Sequence, residues 1–201
     1  MQRATTTPRE ASLRRAAAGL AALACVAAPA AHAQASLPAS VVRACPNADA
    51  LPGTVPTRAL GTATVCLVNR VRAGRGLVRL RVNRHLNRFA TAFTRRMVSR
   101  RFFSHDVPGG PSFSQRANAS AYARSAGRMT MGENLAWGTA ELATPAAIVE
   151  AWLRSPGHRD NVLRPRFREI GVGVLEAAPE GGWEGSSPVT YVHAFGWRAR
   201  R

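Results

Sequence analysis

The chain has 201 residues, of which 46% are hydrophobic, so it can build one domain with a sizeable core, and this composition excludes an intrinsically disordered chain. Its 28 basic residues, all of them arginine, outnumber 11 acidic residues and give a formal net charge of +17. A charge of this size concentrates polyanions near the surface, and each guanidinium can bind a phosphate or carboxylate through two parallel hydrogen bonds. A GC-rich genome also produces arginine in place of lysine, so the charge alone does not establish a function.

Residues 1–33 have the pattern of an export signal. Four arginines precede an alanine-rich apolar stretch over 16–30, and the sequence Ala-His-Ala ending at Ala33 is typical of a cleavage site. The apolar stretch is too short and too rich in alanine for a strong membrane span. We therefore expect a secreted protein, extracellular or in the cell envelope. Its mature part would begin at Gln34 and keep 24 basic and 10 acidic residues, a net charge of +14.

Residues 34–57 separate this signal from the rest of the chain. They contain four prolines and few periodic apolar positions, which predicts a Pro-rich N-terminal linker or clasp in front of a domain over 58–201. Two cysteines remain in the mature chain, Cys45 and Cys66. In an oxidising compartment such a pair most simply forms a disulfide, and two free thiols are the alternative. The bond would tie the clasp to the first helix and stabilise the fold by roughly 3 kcal/mol.

Hydrophobic periodicity over 58–201 predicts three helices and three strands, with a loop over 103–128. The predicted helices run from about Thr62 to Gly74, from about Val82 to Arg100 and over Pro145–Arg154. The predicted strands are Met129–Gly138, Glu169–Ala177 and Pro188–Arg198. Helices followed by mixed strands and a helix indicate an α+β layered domain.

The first candidate for chemistry is a histidine at the start of a short helix. In the stretch Ser-Pro-Gly-His from Ser155, the serine is a suitable N-cap, Pro156 suits the first helical position and His158 falls at the third. The partial positive charge of a helix N-terminus disfavours imidazolium, and a neutral imidazole suits metal ligation or proton abstraction. The alternative is a structural role, because a lone histidine more often serves packing.

Two further residues could complete a site with His158. Glu133 lies in an otherwise apolar strand, where a buried charge is costly unless it has a partner, and His105 leads a Gly/Pro-rich loop after a helix. Two histidines and a carboxylate are suitable ligands for a divalent metal, and zinc is the usual candidate. The spacing is long and irregular, unlike a pattern of the HExxH kind, so on these residues alone the site is a hypothesis.

Several short motifs occur in a fixed order along residues 60–198. They are N-x-x-R-x-x-x-G-L from Asn69, F-x-H ending at His105, G-E-N-L-A-x-G from Gly132, W-x-x-S-x-G-H-R-x-N from Trp152 and I-G-x-G from Ile170. In this order they resemble the bacterial CAP (SCP-like) domain family, which is similar to the cysteine-rich secretory proteins of animals and the pathogenesis-related proteins of plants. The resemblance covers nearly all of the mature chain.

The resemblance implies a three-layer α-β-α sandwich with a large open cleft. In the family this cleft gathers two histidines and one or two acidic residues, and some members bind zinc or another divalent cation there. By motif, His105 and His158 would be the histidine pair and the metal ligands, Glu133 would be the acid, and Asn134 and Ser155 lie beside them in the same motifs. No cofactor is required by this pattern, and a divalent cation such as zinc is the one it could hold.

One departure from the family pattern bears on catalysis. The second acidic position falls near Ser114, Gln115 and Arg116, and no carboxylate occurs between Asp106 and Glu133. An incomplete acidic pair weakens the case for general acid–base chemistry. We therefore assign no catalytic residue and leave open whether the protein is an enzyme.

Eleven arginines and no acidic residue lie between Arg70 and Arg101. If the two helices of this region bury their apolar stripes, the arginines should form a positive face. Its candidate partners are anionic cell-wall polymers or lipids, and no specific nucleic-acid recognition is expected because no such motif accompanies the charge. A solvated face without a partner is the alternative, and a monomer is expected.

The remaining histidines and the tryptophans are expected to be structural. His193 lies on the aromatic face of the last predicted strand, which places it in the core, and His85 is expected at the surface. Trp137, Trp152 and Trp197 are expected to pack in the core rather than to form a ligand platform.

The leading hypothesis is a secreted CAP-domain protein whose His/Glu cleft binds a ligand or a divalent cation. One alternative is a metal-assisted hydrolase that uses the same cleft, with Glu133 as base or ligand. The other is a polyanion binder that works through its arginine-rich helices.

Overall fold

The structure is a computed structural model that describes residues 36–181, 183 and 186–199. The predicted signal peptide lies outside the described residues. Within the described part of the chain, no helix combines the length and the apolar character needed to cross a membrane.

The described chain contains the predicted helices and strands together with short elements that the periodicity did not predict, and the first predicted helix begins at Thr57 rather than at about Thr62. The helices are α1 Ala39–Arg43, α2 Thr57–Ala73, α3 Arg84–Ser99, α4 Phe113–Asn118, α5 Ala121–Arg124, α6 Pro145–Arg154 and α7 Pro156–Leu163, with a 3-10 turn at Ala140–Ala143. The strands are β1 Arg81–Val82, β2 Arg128–Thr139, β3 Glu169–Leu175 and β4 Pro188–Ala199. The predicted third helix and the three predicted strands are confirmed, with ends that agree within two residues.

The prediction of a loop over 103–128 is wrong for part of that segment, which contains α4 and α5. Serines that the sequence presents as loop residues act as helix caps. The Ser112 hydroxyl accepts from the Gln115 N–H and the Gln115 side chain accepts from the Ser112 N–H, a reciprocal pair that starts α4. Ser120 caps the Ala123 N–H in the same way and starts α5.

The four strands form one sheet in the order β1-β3-β4-β2. β4 lies inside the sheet and pairs antiparallel with both β2 and β3. β1 is only two residues long and runs parallel to β3, opposite Glu169 and Ile170. As a result β2 is an edge strand, and within the described chain β3 beyond Ile170 has no strand on its outer side.

The two faces of the sheet carry separate layers of helices, which confirms the α-β-α sandwich. Tyr191 and Phe195 of β4 pack with α2 and α6, whereas Val192 and Ala194 pack with α3 on the other face. α3 lies directly on the glycines of β3, since a Cβ at Gly171 or Gly173 would overlap the backbone of α3. On the opposite face, Gly61 of α2 faces Val172 and Val174.

The segment before α2 is held against the helices of one layer. The disulfide between Cys45 and Cys66 is present and joins this segment to α2, as predicted. The Leu37 N–H donates to the Glu150 carboxylate of α6 at 2.8 Å, and the Ala146 N–H donates to the Ala48 carbonyl at 2.8 Å. Leu37, Cys45 and Ala48 are buried as a consequence.

Arg72 of α2 is fully buried, and backbone carbonyls rather than a carboxylate satisfy it. Its Nε donates to the Val78 carbonyl at 3.0 Å, and its Nη1 to the carbonyls of Val162 at 2.7 Å and Arg164 at 3.2 Å. Its Nη2 donates to the Phe167 carbonyl at 3.2 Å. Arg72 therefore fastens α2 to the C-terminal end of α7, where unpaired carbonyls carry partial negative charge.

The positive face predicted for Arg70–Arg101 needs correction in two respects. Arg72 belongs to the interior, and α2 and α3 lie on opposite sides of the sheet, so the exposed Arg70 of α2 lies on a different surface from the arginines of α3. The reason is that consecutive residues of β3 point to opposite faces, and α2 packs on its valines whereas α3 packs on its glycines. Sequence spacing within each helix could not reveal this arrangement.

His193 of β4 is fully buried, as expected for the aromatic face of this strand. Its Nε2 is 2.8 Å from the Thr64 hydroxyl, its ring lies 4.5 Å from that of Trp152, and its Nδ1 has no hydrogen-bond partner within the described structure. Burial lowers the pKa of His193 to about 3. Trp152 is buried as predicted, whereas Trp137 and Trp197 are only partly buried.

Replacing Arg72 by methionine should lower the free energy of unfolding by about 2–4 kcal/mol, because the carbonyls at the end of α7 lose their donors. Urea denaturation measures the change. Arg70→Met is the matched control on the same helix, since Arg70 is exposed and should change the value by less than about 0.5 kcal/mol. Equal effects of the two substitutions would contradict the anchoring role of Arg72.

Acid should destabilise the fold through His193. Between pH 6.5 and the folded pKa of about 3, the unfolded chain takes up a proton that the buried imidazole does not, so stability falls as the pH falls. Over this window the wild type should lose up to about 1.4 kcal/mol per pH unit more than His193→Gln, whose side chain does not titrate. Denaturation at a series of pH values tests this, and parallel profiles of the two proteins would refute it.

Candidate functional site

The candidate site is built on β2, where neighbouring residues serve the two faces of the sheet. Glu133 contacts His105 and Arg116, which follow α3 in the chain. The next residue, Asn134, contacts α7 on the other face. Because β2 is an edge strand, groups from both helical layers can approach each other around it.

Glu133 is a buried carboxylate with two partners, since its side chain is only 1% exposed. Its Oε1 accepts from His105 Nδ1 at 2.9 Å, and Arg116 Nη2 donates to Oε1 at 3.0 Å and to Oε2 at 3.1 Å. The same Nη2 donates to the His105 carbonyl at 2.7 Å. Arg116 thus supplies the partner that a charge in this strand requires.

The Arg116 side chain is 8% exposed and lies among aromatic rings. Its guanidinium carbon is 3.4 Å from the ring centroid of Phe93, 5.1 Å from that of Phe89 and 5.5 Å from that of Phe113. Nε and Nη1 are buried and have no hydrogen-bond partner among the described residues. Cation–π contacts with the aromatic rings stabilise the guanidinium in place of these hydrogen bonds, and one desolvated contact of this kind is worth about 2 kcal/mol.

The contact with Glu133 fixes the protonation pattern of His105. An ionised carboxylate only accepts hydrogen bonds, so Nδ1 of His105 carries the proton and donates it to Oε1. In the neutral imidazole, Nε2 then has the free lone pair. Since the His105 side chain is 47% exposed, this ring is accessible to a ligand.

α7 begins as the sequence predicts, with Ser155 at the N-cap, Pro156 at the first position and His158 at the third. One detail differs, because the Ser155 hydroxyl makes no capping hydrogen bond. Ser155 acts through its backbone instead, and its carbonyl accepts from the Arg159 N–H at 2.8 Å.

Two asparagines fasten α7 to β2. Asn134 Nδ2 donates to the His158 carbonyl at 3.0 Å, and Asn161 Nδ2 donates to Asn134 Oδ1 at 3.0 Å and to the Glu133 carbonyl at 3.2 Å. Gly132 permits the close approach, since a Cβ there would lie 2.5 Å from Asn161 Oδ1. The position of His158 is therefore fixed through its own backbone carbonyl.

The two imidazole rings face each other across the site. The ring centroids of His105 and His158 are 6.3 Å apart and the planes are inclined by 45°. Burial lowers the pKa of His158, and the neighbouring His105 adds to this effect. His158 is therefore neutral at pH 7, with a lone pair available for a ligand or a proton.

The structure brings His105, Glu133 and His158 into one place, although they are far apart in sequence. Asn134 is fully buried and supports α7 from behind, so it does not line the cleft. No hydrogen bond within the described chain links the Ser155 side chain to the other site residues.

Sequence reasoning missed Arg116 and Asn161 as parts of the site. Arg116 stands near the position where the family pattern has its second acid, and the sequence presents it only as a departure from that pattern. The need of Glu133 for a cation is the sequence signal that could have pointed to it, whereas two of the three phenylalanines around Arg116 approach it only in the fold. Asn161 is part of the motif around His158, but the sequence gives it no partner.

The donors present fit a divalent cation only in part. Among the described residues, no group of three or more His, Cys, Asp or Glu side chains is placed to hold a metal ion. Both oxygens of Glu133 are engaged by Arg116, which leaves the imidazoles of His105 and His158. Zn–N bonds of about 2.0–2.1 Å place the ring centroids of two histidines on one tetrahedral ion about 5.2 Å apart, so the observed 6.3 Å would have to close by about 1 Å for both rings to bind it.

Known proteins are similar to this chain in sequence and in fold. Residues 65–193 match the family described as CAP, the cysteine-rich secretory protein family. The uncharacterized protein YkwD of Bacillus subtilis (strain 168) is 35% identical over 113 residues, which are 55% of this chain and 40% of that protein. The chain thus matches less than half the length of this relative.

Two solved structures share the fold. An outer surface protein from Borrelia burgdorferi gives a TM-score of 0.59 at 21% identity, over 74% of this chain and 99% of that chain. An extracellular protein with an SCP domain from Bacillus anthracis str. Ames gives 0.52 at 23% identity, over 71% of this chain and 44% of that chain. Since the family match covers more than half of the 201 residues and the motifs fold as a three-layer sandwich, this chain belongs to the CAP, or cysteine-rich secretory protein, family.

Proposed function

We propose that this CAP protein is exported and uses the cleft of His105, Glu133 and His158 to bind a ligand outside the cell or in the cell envelope. The observation that carries the proposal is the pair of imidazoles 6.3 Å apart, each from a different layer, with a buried carboxylate behind one of them. Polar groups that converge in this way from distant segments, with a lowered histidine pKa among them, mark binding and catalytic sites.

Three observations support a location outside the cytoplasm. Residues 1–33 have the pattern of an export signal, and the disulfide between Cys45 and Cys66 is a bond that persists in oxidising compartments. Two proteins that share the fold are described as an outer surface protein and an extracellular protein.

The contacts of Glu133 favour binding over hydrolysis. In the hydrolase alternative Glu133 would act as base or metal ligand, which requires an oxygen that reaches water or a cation. Here both oxygens accept from Arg116 and the side chain is 1% exposed. The carboxylate is therefore better suited to orienting His105 than to taking a proton from water.

A divalent cation is the ligand that the two imidazoles suit best. His105 donates from Nδ1 to Glu133, and this carboxylate–histidine arrangement orients the other nitrogen, Nε2, towards a metal in many zinc sites. The lowered pKa of His158 keeps its ring neutral, as ligation requires. With two protein ligands, such a cation would share its remaining positions with water or with groups of a bound molecule.

Zinc titration calorimetry at pH 7.5 tests this proposal with the metal alone as the probe. The wild type should bind one equivalent, and His105→Ala and His158→Ala should each abolish that binding, because neither imidazole suffices by itself. His85→Ala is the matched control, since His85 lies on α3 away from the cleft and its loss should leave the binding unchanged. Absence of binding in the wild type, or retention in either cleft variant, would contradict a cation held by this pair.

A second candidate function rests on the exposed side of α3. Its exposed arginines, here called the α3 arginine surface, are Arg84, Arg88, Arg95 and Arg96. Among the described residues none of the four pairs with a carboxylate. Desolvation and the charges of neighbouring arginines lower the pKa of His85 beside them. Such a concentration of unpaired charge supports binding of an anionic wall polymer or lipid surface.

Vesicles containing phosphatidylglycerol test this second candidate. Changing Arg84, Arg88 and Arg96 together to glutamine should weaken vesicle binding by about 3 kcal/mol, roughly a hundredfold, since each basic residue near an anionic surface contributes about 1 kcal/mol. The control changes the exposed Arg70, Arg75 and Arg79 to glutamine, which removes the same charge from another part of the molecule. Equal losses in the two triple variants would show that total charge, and not the α3 arginine surface, governs binding.

A further inference from the structure

A cavity of about 370 Å³ lies at the outer side of β3, and no cleft residue lines it. Its walls are α2 on one side and α3 on the other, and its floor is the strand itself, with Val172 and Val174. It exists because β1 covers β3 only opposite Glu169 and Ile170, so that in the described chain the rest of β3 has no neighbouring strand on this side. Its size is within the range of about 300–1,000 Å³ found for sites that bind small molecules.

The floor of the cavity offers backbone hydrogen bonds. The Val172 N–H donates to Asn87 Oδ1 at 2.9 Å, and the Thr91 hydroxyl donates to the Val172 carbonyl at 3.4 Å, so the polar groups of Val172 point away from β4. In a strand, residues two apart direct these groups to the same side. The N–H and C=O of Val174 therefore also face the cavity. No side chain of α3 is bonded to them within the described structure.

The walls combine small apolar surfaces, hydroxyl groups and positive charge. Val65 and Val82 add apolar area to that of the strand valines, and Thr57 and Thr62 add hydroxyls. Arg58 on α2 and Arg95 on α3 face the same cavity from opposite walls, and neither forms an ion pair with a carboxylate of the described chain. The lining therefore complements a ligand that combines negative charge, hydrogen-bonding groups and small apolar groups.

We propose that this cavity binds the carboxyl-terminal end of a short extended peptide with small aliphatic side chains. The peptide backbone would pair with the Val174 N–H and C=O, as an added strand does at a sheet edge. Its side chains would pack on the valines, and its terminal carboxylate would accept from Arg58 and Arg95, the strongest type of hydrogen bond available there. A plain aliphatic chain would leave the hydroxyls and the backbone groups of the strand unpaired, which disfavours a fatty acid.

The probe is N-acetyl-Ala-Ala with a free carboxylate, titrated into the ¹⁵N-labelled protein and followed by NMR. Saturable shifts are expected for the amides of Val172 and Val174. The C-terminal amide of the same dipeptide should bind at least about tenfold more weakly, because it lacks the charge that the two guanidinium groups recognise.

Two kinds of variant distinguish binding in the cavity from attraction by the overall positive charge of the protein. Arg58→Gln with Arg95→Gln should weaken binding of the free-acid peptide at least about tenfold, whereas Arg70→Gln with Arg79→Gln, two exposed arginines that do not line the cavity, should leave its affinity unchanged. Thr62→Trp, at an exposed lining position, fills the cavity without removing charge and should abolish the shifts. Unfolding midpoints of all variants establish that they are folded.

Three outcomes of the peptide titrations would overturn the proposal. They are the absence of saturable shifts in the wild type, equal affinity for the free acid and the amide, and equal losses in the two arginine pairs. Saturable binding of dodecanoate in place of the peptide would also overturn it and would assign the cavity to an aliphatic carboxylate. None of these results depends on His105 or His158, so they are independent of the zinc titration.

Discussion

A carboxylate that is almost entirely removed from water, Glu133, is the constraint on which the histidine end of the molecule depends. A buried charge must have a partner, and the fold supplies one by bringing α4 close enough for Arg116 to reach it. The Nε and Nη1 groups of Arg116 have no hydrogen-bond partner in the described structure. Cation–π contacts with the rings of Phe93, Phe89 and Phe113 stabilise the guanidinium instead. His105 is then oriented by the same carboxylate. The His105 ring is therefore the exposed end of a buried network rather than an independent surface group.

The second histidine depends on how α7 is held at both ends. Asn134 binds the His158 carbonyl near its start, and Asn161 ties its second half to β2. At its C-terminal end, Arg72 of α2 donates to the backbone carbonyls. A helix of eight residues has little stability of its own, so these tertiary contacts position His158. The motifs of the family thus include residues of two kinds, those that can contact a ligand and those that hold the helix which carries one.

The two proposed sites lie at different edges of the sheet and differ in chemistry. The histidine cleft lies around β2, at one edge, and the cavity beside Arg58 and Arg95 lies along β3, at the other, where β1 is too short to cover it. The first offers neutral imidazoles near an internally paired carboxylate, and the second offers guanidinium groups and backbone donors. We propose a cation for the first and an anion for the second, and on this proposal the high positive charge of the chain does not determine the chemistry of the histidine site.

The sequence by itself determined the longer helices and strands of this protein and the order in which they occur. The period of the apolar residues located α6 and the three long strands, and the motifs from Asn69 to Ile170 indicated the sandwich and the residues His105, Glu133 and His158. Pairing of Cys45 with Cys66 was predicted from the count of two cysteines behind an export signal, with two free thiols as the alternative, and the structure contains the bond. These properties are local, or depend on which residue types are present, so they are available before folding.

Only the tertiary structure decided which charges are partners and which faces are exposed. Arg72 and Arg116 look like other arginines in the sequence, yet both are buried, one on carbonyls and one on Glu133 and aromatic rings. Ser112 and Ser120 are the N-caps of α4 and α5 because the residues that follow them are helical. The composition of this segment had suggested a loop. The separation of the arginines of α2 and α3 arises from the alternation of valine and glycine along β3. The partner of a side chain, its burial and the side of the sheet on which its helix lies all depend on contacts between distant segments. The periodicity of one segment carries no information about the segment that packs against it.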